Sequence, residues 1–111
     1  MTLTKLRCFN LGSIAAGASG EKEFAPPEDW TVARIFINDR TGSSLYNTQI
    51  YIKVGGDLLT DDFAPARVFH VDNRNLVEIG RTIAKGTSIY IKVTNNETSS
   101  INPDVCFEVI E

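Results

Sequence analysis

The chain has 111 residues, a formal net charge of −3 at pH 7 and 42% hydrophobic residues. That length makes a single domain, 1–111, which buries about two thirds of the surface its unfolded chain exposes. The 11 Lys and Arg residues are scattered, so no basic face is available for nucleic-acid phosphates and no polybasic anchor for a membrane. No apolar run approaches the ~20 residues of a membrane-spanning helix. Lys5 and Arg7 precede a small-residue stretch running from Cys8 to Ala18, but Asn10, Gly12 and Ser13 interrupt its apolar core. No signal peptide is therefore expected, and synthesis in a cytoplasm follows.

In chain order, residues 3 to 11 alternate loosely and read as a first strand. Gly12 to Gly20 is small-residue connection, and Glu21 to Ala25 is a short strand carrying Phe24. Pro26-Pro27 ends it, because proline cannot donate to a ladder and restricts the residue before it. Trp30 to Val54 reads as a long hairpin: two runs rich in β-branched and aromatic residues flank the turn formers Asn38 to Ser44. Alternation places Ala33, Ile35 and Ile37 on one face and Ile50, Ile52 and Val54 on one face of the second arm.

Gly55-Gly56-Asp57 is a turn, with a brief continuation to Thr60. Arg67 to Asp72 is a strand candidate at an edge, Leu76 to Ile79 another, and Gly80 to Gly86 is irregular. Thr87 to Thr94 and Asp104 to Ile110 are strong strands, with Ile89, Ile91, Val93 and Val105, Phe107, Val109 facing inward. No segment repeats apolar residues at helical spacing. About eight short strands in one domain predict an all-β, two-sheet antiparallel sandwich, jelly-roll-like.

Two internal echoes refine this expectation. Ile50-Tyr-Ile-Lys-Val54 recurs as Ile89-Tyr-Ile-Lys-Val93, and Ile14-Ala-Ala-Gly17 recurs as Ile83-Ala-Lys-Gly86. The unequal spacings exclude a tandem solenoid repeat. Each pentapeptide is a strand with three aliphatics inward and Tyr and Lys outward. Each Ile-Ala-x-Gly is a corner into the next strand.

Chemistry-bearing residues are few. Cys8 and Cys106 lie near opposite ends; free, buried thiols are expected in a reducing compartment, with a disulfide available if the terminal strands are neighbours. His70 is the one histidine, so the usual zinc patterns and a multi-histidine cupin metal site are not expected, and no cofactor is implied. A strand histidine at an edge or subunit contact is the expectation, rather than a general base. Asp57, Asp61 and Asp62 could supply oxygen ligands for calcium but match no EF-hand spacing. Trp30, Tyr46, Tyr51 and Tyr90 could form a sugar-stacking platform, with Trp30, Tyr51 and Tyr90 its principal members. Asn96-Glu-Thr98 is a glycosylation sequon that matters only on a secreted chain.

The Ile-Ala-x-Gly corners, the Pro26-Pro27 turn ahead of Trp30 and the hairpin ending in Ile50–Val54 resemble the small jelly-roll or β-sandwich structural proteins of double-stranded DNA viruses and phages. The resemblance implies a non-enzymatic minor-capsid, penton, decoration or spike-base module located in the virion and assembled in a host cytoplasm. It further implies self-association, as a trimer or pentamer, and contact with a capsid or other large assembly. The exposed apolar strand residues Phe36, Phe69 and Val71 would then be covered by neighbours. The alternative is a carbohydrate-binding β-sandwich module using exposed aromatics.

Overall fold

The computed structural model describes residues 4–60, 63–70 and 78–110. Its strands are β1 (Thr4–Asn10), β2 (Ser19–Phe24), β3 (Trp30–Asp39), β4 (Gln49–Val54), β5 (Asp57–Leu58), β6 (Ala64–Pro65), β7 (Glu78–Ile83), β8 (Ile89–Thr94) and β9 (Pro103–Ile110). They form two sheets, ordered β1-β9-β3-β7 and β2-β8-β4-β5, with β6 also beside β4. Among the described residues every strand pairing is antiparallel, and four of them are nested in sequence: β1 with β9, β2 with β8, β3 with β7, β4 with β5. Two antiparallel sheets wound in this nested order are a jelly-roll sandwich.

The inward faces fill the space between the sheets. Ile50, Ile52, Ile89, Ile91 and Val93 face Val32, Ile35, Ile37, Val105 and Phe107, all nearly solvent-free. The two identical pentapeptides pair with each other across β4 and β8 in the register Tyr51↔Lys92, Ile52↔Ile91, Lys53↔Tyr90. The aliphatics go inward and the tyrosines and lysines outward, as the alternation requires.

The two Ile-Ala-x-Gly corners are built alike. Ala18 N–H donates to Ala15 O at 3.0 Å and Thr87 N–H to Ala84 O at 3.1 Å. Gly17 and Gly86 adopt φ of 79° and 81°, a region a Cβ disfavours. Asn95, fully buried, docks the first corner by donating to Ile14 O at 2.9 Å and to Ser99 O at 2.9 Å.

Trp30–Val54 is no hairpin: β3 and β4 lie in different sheets. The link crosses the sandwich, with Leu45 as a buried plug and the Asp39 carboxylate accepting from Thr41 N, Ser43 N and Asn102 N at 3.1, 2.9 and 2.7 Å. A bulge between Val32 and Arg34 shifts the register of β3, so Trp30 and Val32 point inward before it and Ile35 and Ile37 after it. Ala33 is the extra residue and leaves the inner face.

Residues Ala66–Phe69 form one 3-10 turn instead of a strand. At that spacing Ala66 and Phe69 share a face, and both are buried; Phe69 is therefore core, not exposed. The segment 80–83, read as irregular, completes β7, an edge strand that needs few apolar residues because, among the described residues, it pairs with β3 alone. Val71 and Leu76 lie outside the described residues. Cys8 and Cys106 are directly opposed in register and joined as a disulfide, Cα–Cα 4.0 Å, where free thiols were expected. The cause is topological: nesting makes the first and last strands neighbours.

Candidate functional site: the outer face of the five-stranded sheet

Strand register brings polar and aromatic side chains into rows on the outer face. Glu21, Lys92 and Tyr51 form one row across β2, β8 and β4; Glu23, Tyr90 and Lys53 form the next. Because the paired pentapeptides run oppositely, each row holds one tyrosine, one lysine and one glutamate. The Tyr51 and Tyr90 rings meet on the diagonal, centroids 6.0 Å apart at 77°, an edge-to-face contact. Phe63, 37% exposed, adds a third ring, 5.5 Å from Tyr51, and Lys92 Nζ lies 5.9 Å from the Phe63 centroid.

The carboxylates are engaged by hydroxyls. Tyr90 Oη donates to Glu21, and Ser88 Oγ donates to Glu23 at 2.7 Å. The hydrogen bond to Glu21 chiefly, with burial and the negative charges of Glu21 and Glu23, pushes the Tyr90 phenol up to about 12. Tyr90 thus stays a neutral donor.

The ring pair forms a ridge with a hollow on either side. One hollow, about 310 Å³, is lined by Glu23, Tyr51, Lys53, Gly55, Ser88 and Tyr90. The other, about 230 Å³, is lined by Tyr51, Phe63, Tyr90 and Lys92. Chemically this face offers ring surfaces, fixed hydroxyl–carboxylate pairs and two ammonium groups.

Of the expected platform residues, Tyr51 and Tyr90 come together here. Trp30 does not: it is 3% exposed and packs against Phe24 and Phe107 in the core. Tyr46 is 69% exposed but stands elsewhere, under the Arg67 guanidinium at 4.7 Å. Phe63 is a lone aromatic in a loop and carries no periodic signal in the sequence.

His70 is buried, with Nε2 3.4 Å from Ser43 O and a bridge to Ile37. Asp57 is exposed and pairs with Arg81 at 3.2 Å; Asp61 and Asp62 lie outside the described residues. Among the described residues, no three His, Cys, Asp or Glu side chains gather as a metal site.

The opposite outer face, on the four-stranded sheet, alternates apolar and polar rows. Register aligns Phe36, Cys106 and Cys8 in one row and Arg34, Glu108 and Leu6 in the next. Leu6 is 58% exposed, and Phe36 and Ile110 are half-buried. A shallow depression of about 360 Å³ beside them is lined by Thr31, Ala33, Arg34, Gly80, Glu108 and Ile110.

Fold and surfaces together define an all-β jelly-roll sandwich with two unlike outer faces. No protein-family model matches the chain, and no curated protein matches it.

Proposed function

We propose that the protein is a non-enzymatic structural and assembly module, a virion component of the minor-capsid, penton or decoration type. It acts through contacts with copies of itself and with a larger shell. The observation that carries this reading lies on the outer face of the four-stranded sheet, where Phe36 and the exposed Leu6 flank the Cys8–Cys106 disulfide. Apolar side chains grouped on a sheet face are characteristic of surfaces that other protein covers. The jelly-roll architecture supports it by analogy, since viral capsid domains use that fold, as do lectins and cupins. A disulfide is at home on a virion exterior. The occupant of the face is a second copy of the chain. Leu6→Glu tests this: the variant should keep its sheet content and lose the assembled species, and assembly unchanged by Leu6→Glu and by Phe36→Glu would refute it.

A second reading is a carbohydrate-binding module, favoured by the Tyr51–Tyr90–Phe63 ridge on the other face. Lectin domains also use jelly rolls. Glycan binding lost in Tyr51→Ala and Tyr90→Ala with the fold intact supports it; binding that survives both substitutions refutes it. The two readings use opposite faces and are compatible.

A further inference from the structure

We infer that the Cys8–Cys106 disulfide is a redox latch on the assembly face. Oxidised, it pins β1 against β9; reduced by a dithiol, it releases β1 and the assembled state is lost. This rests on the assembly reading and names the regulation of that same face. β1 contributes Leu6 and Cys8 to the face, while Phe36 and Cys106 come from β3 and β9. The face is therefore complete only while β1 stays paired.

Apart from the disulfide, β1 is lightly held. It ends the four-stranded sheet and, among the described residues, pairs with β9 alone. None of residues 5–10 is buried, whereas β9 buries Pro103, Val105, Cys106, Phe107 and Val109. The chief tie to the core is half-buried Phe9, stacked on Phe24 with ring centroids 3.8 Å apart. Segments with little buried apolar contact open at the low end of a protein's range of local stabilities. The opening has a limit at the first corner. Ile14 is 3% exposed, exchanges hydrogen bonds with Ile101 at 2.8 and 3.0 Å, and its carbonyl accepts from Asn95. Release therefore stops at this corner, and β9 keeps its pairing with β3.

The two sulfurs are unequally reachable, since Cys8 is exposed and Cys106 is 6% exposed. A thiolate of the dithiol attacks Cys8 Sγ, the protein S–S bond breaks, and Cys106 leaves as a thiolate that takes up a proton. The second sulfur of the dithiol then displaces Cys8, leaving a cyclic disulfide and two protein thiols. The protein thus gains two electrons and two protons, both drawn from the dithiol. Attack falls on dissociated copies, because assembly covers the face, and mass action then drains the assembled state.

The test compares the full chain oxidised, reduced with dithiothreitol and reoxidised, by sedimentation and by hydrogen exchange under native conditions. The oxidised chain should assemble. Reduction should abolish assembly and the amide protection of β1 while β4 and β8 keep theirs, and reoxidation should restore both. The Cys8→Ser/Cys106→Ser variant should behave as the reduced chain with or without dithiothreitol. Assembly or β1 protection that survives reduction overturns the latch and leaves the assembly reading standing, as does protection lost from β4 and β8 together with β1. An oxidised chain that is a monomer at every concentration overturns both.

Discussion

Ile52 and Ile91 sit directly opposite one another in β4 and β8, each at the centre of the same five-residue sequence. Antiparallel pairing of identical segments creates a local two-fold relation, which sets each tyrosine opposite the other strand's lysine. The same pairing builds the inner wall of the core and the outer ridge, so the site is anchored by the best-buried part of the sandwich. Both isoleucines are solvent-free. Ile52→Ala and Ile91→Ala should each cost about 2 to 5 kcal/mol through lost transfer energy and the cavity left behind. Denaturant unfolding of the singles and the double should show non-additivity of about 0.5 kcal/mol or more, because the two residues share one space.

The disulfide closes nearly the whole chain, with a sequence separation of 98. In the chain-entropy model a loop of that length contributes about 4 to 5 kcal/mol by restricting the unfolded state. Reductant should therefore lower the melting temperature of the unmodified protein markedly. The Cys8→Ser/Cys106→Ser double variant should melt at the lower temperature with or without reductant and retain its β circular dichroism.

Tyr90 links the ridge to pH. Its phenol is raised to about 12 from an ordinary value of 10.0, first by the hydrogen bond to Glu21 and then by burial and neighbouring negative charge. A raised pKa in the folded state means this contribution to stability is complete below pH 10 and disappears as pH rises through about 12. Ultraviolet titration of phenolate should show a late-ionising tyrosine, and Glu21→Gln should bring that ionisation down.

Asp39 works in the opposite sense. Burial pushes its carboxyl up, but hydrogen bonds from the Thr41 hydroxyl and from the backbones of Asn102, Thr41 and Ser43 together outweigh burial and hold it below 3.8. Its contribution is present above that ordinary value and is lost as pH falls through the depressed folded value. Asp39→Ala should cost about 1 to 3 kcal/mol by stranding buried backbone donors. Stability measured across acid pH should decline less steeply in Asp39→Ala than in the unmodified chain.

The elements that could be read in the sequence are those with one face buried and one face wet. Ile89, Ile91 and Val93, like Val105, Phe107 and Val109, alternate cleanly, so their strands and inward faces follow from residue order alone. The reading of β3 failed at Ala33 because a bulge changes parity without changing composition. Its partner was misassigned because Trp30–Asp39 pairs with β9 and β7, long-range choices that no local pattern encodes. Arg67–Phe69 looks extended by composition, yet the buried pair Ala66 and Phe69 favours a tight turn. At the site, the repeated pentapeptide announced Tyr51 and Tyr90. It gave no sign that Trp30 is core, since a stacking aromatic and a buried one look alike in sequence.

Sedimentation equilibrium of the intact, oxidised protein tests the central claim of self-assembly most directly. A mass that is a small multiple of the 12.2 kDa chain, reverting to a single chain in Leu6→Glu, is the result this account predicts. A mass of one chain at every concentration would contradict it.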